Sequence, residues 1–417
     1  MKVLFKRGAS IVTAHALIIA ACCVAYACSA PMCVNAAQQK TGAWEKHNEA
    51  GEKAYEQGRY DEAKAFLNDA IREAEKFGAQ DLRLATSLNN MALVLAAQSR
   101  YSEAVPLLQK ALAIREKTGG PEHRTTVQSI NNLGLAYYNL GKYTEAEPLF
   151  RRALQTGEKL LGAEHAEVTT SLNNLATLLS AQGRYAEAEP LHRRALTIDE
   201  KQLGTEHPSV AVDVNNLAML LSAQGRHAEA EQLFRRALQI MEKTSGAAHP
   251  DTAQCLNNLA ETLRLQGKFD EAYPLFARAL AIREKALGAE HPDFAQTLNN
   301  LGELYRNIGR DAEAEPLLRR ALATMEKRLG NEHPNVAMCA NNLALVYTKL
   351  GRDTEAEQLF RRALSTWERT LGSDHPNIAT ALENYATLLR KMLRQDEAAD
   401  AEVRARLIRA RRGTGYN

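Results

Sequence analysis

Seven histidines, His123, His165, His207, His249, His291, His333 and His375, stand 42 residues apart along the chain. Imidazole is the side chain best suited to metal ligation or to proton transfer near neutral pH. Six follow an acid (Glu122, Glu164, Glu206, Glu290, Glu332 or Asp374), and five precede proline. A metal centre needs several ligands within about 2 Å of one ion. One histidine per 42 residues puts each in a different structural unit. The row therefore reads as caps and loop closers at helix starts, with no metal site expected.

The other chemistry-bearing patterns thin out in the same way. No nucleophile–base arrangement, CxxC pair or HExxH helix stands out, and Gly119-Gly120 is a helix-ending turn rather than a phosphate loop. Neither catalysis nor a cofactor is expected. The arginine pairs Arg151-Arg152, Arg193-Arg194, Arg235-Arg236, Arg319-Arg320 and Arg361-Arg362 invite a nucleic-acid reading. Each first arginine, however, lies four residues after a glutamate: Glu147, Glu189, Glu231, Glu315 or Glu357. That spacing makes helical ion pairs on a solvated face. Of 52 bases, three lie in the first 36 residues, leaving 49 against 50 acids, so no nucleic-acid partner is expected.

Paired asparagines are the pattern that chemistry does not dispose of. "SLNNLATLL" sets Asn173 and Asn174 in an apolar run, and the first member recurs at Asn89, Asn131, Asn215, Asn257, Asn299 and Asn341. Neighbours on a helix point ~100° apart, so the two amides face different surroundings. Asn173 shares a stripe with Thr177, Ser180 and Ala181, opposite the side that packs on a partner helix. That stripe is expected to line a concave groove and offer its amides to a ligand. Asn174 is expected inside the fold, bonded to a neighbouring unit's backbone. The groove stripe runs from Leu93, Leu135, Met219, Ala96 and Tyr138 to Glu261, Arg264, Glu303, Arg306, Lys349 and Arg390. Amides suit the backbone of an extended peptide, and the cations suit acidic side chains on it.

The elements that must position these residues follow from the period. The paired positions repeat every 42 residues from Asn89 to Glu383, with an earlier unit in register at Asn48. That makes nine units over 43–412 and a tail over 413–417. Leu172, Leu175, Ala176 and Leu179 fall at the spacing of an amphipathic helix. Gly183 ends it, and a second helix follows with Pro190 near its first turn. Recurrent alanines, such as Ala188 and Ala195, let the two helices approach. Such a hairpin cannot bury its apolar faces alone, so neighbours must stack. Hydrophobic residues at 45% suffice for that core, while aromatics at 6% favour helices over sheets. The fold class is an all-α solenoid.

The motif G-[RK]-Y-x-E-A-E-P-L-x-x-R-A-L resembles the tetratricopeptide repeat. Its 42-residue form, with LNNLA and LG-x-E-H-P, is similar to the repeat of kinesin light chains and of many bacterial proteins. The resemblance implies a right-handed superhelix whose first helices line a concave groove. It also implies groove asparagines and basic residues that hold acidic peptide segments, and protein or peptide partners. Three functions follow: a scaffold binding extended, partly acidic segments; a structural or assembly subunit of an envelope complex working through its convex face or ends; and a kinesin-light-chain-like cargo adaptor.

Residues 1–36 are a different kind of sequence. Lys2, Lys6 and Arg7 precede a long uncharged stretch ending in small residues. It reads as a cleaved export signal, as an uncleaved membrane anchor, or as the translation of a misplaced start codon. "IAAC", ending at Cys22, resembles the lipobox of bacterial lipoproteins, in which Cys22 would carry the lipid. The repeats are then expected outside the cytoplasm: periplasmic, secreted or membrane-tethered. Cys255 and Cys339 share a repeat position two units apart, beyond disulfide reach, and are expected as small buried residues. The arginines Arg404, Arg406, Arg409, Arg411 and Arg412 make a basic terminal helix, read as a solvated cap or as an anionic contact.

Overall fold

The computed structural model describes residues 42–57, 59–98 and 100–413, and among them it holds eighteen α-helices and no strand. They form hairpins in chain order: α1 (Ala43–Glu56) with α2 (Tyr60–Glu75), α3 (Leu82–Ala97) with α4 (Tyr101–Thr118), and α5 (Arg124–Asn139) with α6 (Tyr143–Leu161). Then come α7 (Ala166–Ala181) with α8 (Tyr185–Leu203), α9 (Pro208–Ala223) with α10 (His227–Thr244), and α11 (Pro250–Leu265) with α12 (Phe269–Leu287). The last are α13 (Pro292–Asn307) with α14 (Asp311–Leu329), α15 (Pro334–Lys349) with α16 (Asp353–Leu371), and α17 (Pro376–Lys391) with α18 (Gln395–Gly413). Each helix packs on its hairpin partner and on the next hairpin, as a one-dimensional stack requires. These are the nine expected units. The segment 1–36, with Cys22, and all but the first residue of the 413–417 tail lie outside the described residues.

The seven histidines start the first helices of units three to nine. In each, Nδ1 accepts the backbone N–H two residues on, at 3.0 to 3.3 Å. A cap of this kind contributes about 0.5–2 kcal/mol. The acid before the histidine has its own role, which the sequence reading missed. Glu122, Glu164, Glu206, Glu290, Glu332 and Asp374 pair with Lys159, Lys201, Lys243, Lys327, Arg369 and Arg411 on the second helix of the same unit.

In units three to eight the first helix ends on a glycine in the left-handed region, such as Gly183 at φ 71°. The last unit puts Leu393 there, at φ 63° and 83% exposed. Pro190 lies deeper than expected: α8 begins at Tyr185, so the proline falls in the second turn and removes one hydrogen bond. The recurrent alanines Ala146, Ala153, Ala188, Ala195, Ala230 and Ala237 are fully buried between helices. Cys255 and Cys339 are buried free thiols, and burial pushes the Cys255 thiol up to about 12.

The stack also returns on itself. His333, at the head of α15, reaches the carbonyl of Asn139 at the end of α5, 194 residues away, at 2.5 Å. His375, one unit on, reaches Ala181 at the end of α7 at 2.7 Å.

Candidate functional site

The asparagine pairs build one continuous device. At six joints, Nδ2 of the second asparagine donates to Oδ1 of the first asparagine in the preceding unit. The rungs are Asn90 to Asn48 at 3.3 Å, Asn132 to Asn89 at 3.0 Å and Asn174 to Asn131 at 3.2 Å. They continue as Asn258 to Asn215 at 3.1 Å, Asn300 to Asn257 at 3.3 Å and Asn342 to Asn299 at 3.2 Å. Two expectations are corrected here. The second asparagine binds a side chain of its neighbour, not its backbone. The first is not an amide held ready for a ligand: Asn173 is 7% exposed, and Asn257, Asn299 and Asn341 are 0%. A primary amide carries both donors and acceptors, so two of them satisfy each other across a joint that an apolar pair would leave unregistered.

The charged half of the stripe is also closed. Arg264 makes a double hydrogen bond to Glu261, Nε to Oε2 at 2.8 Å and Nη2 to Oε1 at 2.6 Å, and lies 3.3 Å from Glu303. Burial opposes its charge, but Glu261 and Glu303 outweigh that and hold the guanidinium above its ordinary range. Every residue of α11 from Thr252 to Arg264 is buried, as is every residue of α13 from Pro292 to Leu304. The expected cation-rich groove is therefore self-neutralised at units six and seven, because its own glutamates reach its arginines. Arg306 stands apart: it is half-buried and 4.0 Å from Glu303, and its Nε has no partner. Lys349 is exposed, and Arg390 is exposed and ion-paired to Glu402 of α18.

At the other end the stripe is open and apolar. Leu93, Leu135, Tyr138 and Met219 are all half-buried, in the second, third and fifth units, with a gap at the buried Thr177 of the fourth. Tyr138 stacks on Tyr143 with ring centroids 5.3 Å apart.

Two joints depart from the others: between units eight and nine, Asn384 Nδ2 and Asn341 Oδ1 are both left without a partner. Between units four and five the rung from Asn216 to Asn173 is missing, and both amide atoms of the buried Asn216 lack partners. Asn173 is engaged elsewhere: Nδ1–H of His192 donates to its Oδ1 at 2.8 Å, and its Nδ2 donates to Asp213. Asp213 in turn meets Asp199, and both carboxyls are almost wholly buried. Burial pushes the His192 imidazole down to about 3. Burial raises Asp199 to about 6, against hydrogen bonds from Thr169 and Asp213 that lower it. Asp213 is raised well above the usual carboxylate range by burial and then by Asp199. The sequence reading passed over all three residues. The signal was a break in register: His192 replaces Phe150, Phe234, Phe276 and Phe360, and Asp213 replaces Ser129 and Ser171. Among the described residues, no three histidine, cysteine or acidic side chains converge as metal ligands.

The outer faces hold themselves together. All five Glu–Arg pairs form, from 2.7 Å for Arg193 with Glu189 to 3.8 Å for Arg319 with Glu315. Four of the second arginines, Arg152, Arg194, Arg236 and Arg362, bridge to Glu116, Glu158, Glu200 and Glu326 of the preceding unit. Of the terminal arginines, Arg404, Arg409 and Arg411 pair with Glu368, Glu383 and Asp374.

Stacked helix hairpins with amide rungs between units and an accessible apolar inner stripe define a repeat scaffold for protein interaction. The chain belongs to the tetratricopeptide repeat family, which matches residues 46–117, 83–155, 125–201, 208–285, 256–327, 293–365 and 335–408. Its repeats are of the kinesin-light-chain-like type: the crystallised kinesin light chain nearly identical TPR-like repeats of Podosopora anserina are 31% identical, over 48% of this chain and 94% of that one, at a TM-score of 0.40. A Rap protein solved with competence and sporulation factor is 15% identical, over 79% of this chain and 86% of that one, at a TM-score of 0.64. Aspartyl phosphate phosphatase F from Bacillus subtilis is 16% identical, over 90% and 96%, at a TM-score of 0.52. These last two likenesses concern the fold alone. No curated protein sequence matches the chain. The repeat is characteristically a non-enzymatic scaffold.

Proposed function

We propose that the protein holds extended segments of partner proteins against its concave face. The observation that carries this reading is the contrast along one stripe: Leu93, Leu135 and Tyr138 stay half-exposed, while the asparagines beside them are consumed by the ladder. Exposed apolar side chains spaced one unit apart suit a segment that places an apolar residue on each. The acidic part of such a segment meets Arg306 and Lys349, the two groove cations that the chain's own carboxylates leave least neutralised. The pairing of the terminal arginines within the chain favours the groove over the ends as the contact surface. The chain of a Rap relative solved with the Phr* peptide has the same fold at 18% identity, which is compatible with peptide capture and specifies no ligand.

The test is selection of 12-residue peptides from a displayed random library against the purified protein. Binders enriched in spaced apolar residues that lose affinity on Leu135→Asp and Tyr138→Asp support the proposal. Binders indifferent to both substitutions contradict it. Export is proposed with it, and the mass of the mature amino terminus in an expressing bacterium tests that directly.

A further inference from the structure

Two histidines of the seven do more than cap. Nδ1 of His333 accepts from the Asn335 N–H at 3.0 Å, which fixes the ring proton on Nε2, and that proton is donated to Asn139 O. His375 repeats the arrangement with the Asn377 N–H at 3.1 Å and Ala181 O. Both accepting carbonyls end a helix, where no intrahelical donor is left for them. The chain also closes tightly beside the first contact: a Cβ on Gly141 would lie 2.6 Å from Cδ of Pro334. Gly141 holds φ 71°, so both the turn and the approach require glycine. The two contacts are related by one repeat, so they are a property of the superhelix rather than a chance touch.

We propose that His333 and His375 form a latch between successive turns of the solenoid, and that its release opens the concave channel of units six to eight. The buried state of α11 and α13 is then the latched state. The joint between units four and five lies inside both latched spans, and of the joints inside both it alone lacks a rung. Opening is expected to bend the stack there. What enters the opened channel rests on the groove reading above, whereas the latch itself does not.

The experiment uses the full chain, without a partner. The double variant H333A/H375A is compared with H165A/H249A, which loses two caps and neither latch contact. Small-angle scattering is expected to show a larger maximum dimension for the first variant only. Amide exchange over residues 252–264 is expected to quicken about tenfold in it. A folded H333A/H375A protein with unchanged dimensions and exchange overturns the proposal. Should that variant fail to fold, the single variants H333A and H375A report instead. A larger maximum dimension in either supports the latch, and unchanged dimensions and exchange in both overturn it. Because these readouts need no ligand, an intact latch alongside failed peptide selection counts against the groove reading alone.

Discussion

Asn174 of one unit donates its Nδ2 hydrogen to Asn131 Oδ1 of the unit before, 3.2 Å away, and both side chains are buried. Removing either partner strands the other's polar group. Asn131→Leu is expected to destabilise the protein by about 1–3 kcal/mol in urea unfolding, the cost of an unsatisfied buried amide. Asn216→Leu, at a joint where the rung is missing and both amide atoms are unpartnered, is expected to be neutral or stabilising. Equal losses at both sites would show that the rung itself contributes nothing.

His192→Phe restores the residue type found at this position in four other units. It also releases Asn173 Oδ1 to accept from Asn216. A higher melting temperature is expected for it, and for His192→Phe combined with Asp213→Ser a larger gain than the two single changes sum to. A double-mutant cycle on thermal unfolding checks the coupling.

Asp199 and Asp213 make the stability depend on pH. A carboxyl whose folded value is raised binds its proton more tightly in the native state, so stability falls as pH climbs from near 4 through about 6 and beyond. His192 and His333 work in the opposite sense. Burial lowers them to about 3 and about 4, so their contribution is lost as pH falls from about 6.5 toward those values. The difference between wild type and Asp199→Asn/Asp213→Asn isolates the acids. The variant is expected to melt higher at pH 8, with the gap closing by pH 4.5.

Leu393 occupies a left-handed position that costs a non-glycine residue about 1–2 kcal/mol. Its side chain is exposed, so Leu393→Gly loses little packing. A gain of about 1 kcal/mol in chemical denaturation is expected, against the usual penalty of glycine substitution.

The fold was legible because the solenoid is written locally. Spacing of Leu172, Leu175 and Leu179 gives the helix, Gly183 its end, His165 its cap and Ala188 the hairpin contact. None of these depends on knowing what lies beyond the next unit. The site was less legible for the same reason. Whether Asn173 faces a ligand or Asp213 depends on the residue 40 positions on, and Arg264 is neutralised by Glu303 from the following unit. The latch joins residues 194 apart, and no local pattern distinguishes His333 from His291, which caps its helix in the same way. The polar joint at His192, Asp199 and Asp213 was readable in principle, as three departures from the repeat that fall together.

The central claim is that partners are held on the concave stripe. Photo-cross-linking tests it most directly, with p-benzoylphenylalanine placed at position 135 on the inner stripe or at position 365 on the outer helix α16, in the presence of a selected peptide. The account predicts cross-links from position 135 and none from position 365. Cross-links from position 365 alone would place the binding surface on the convex face and contradict it.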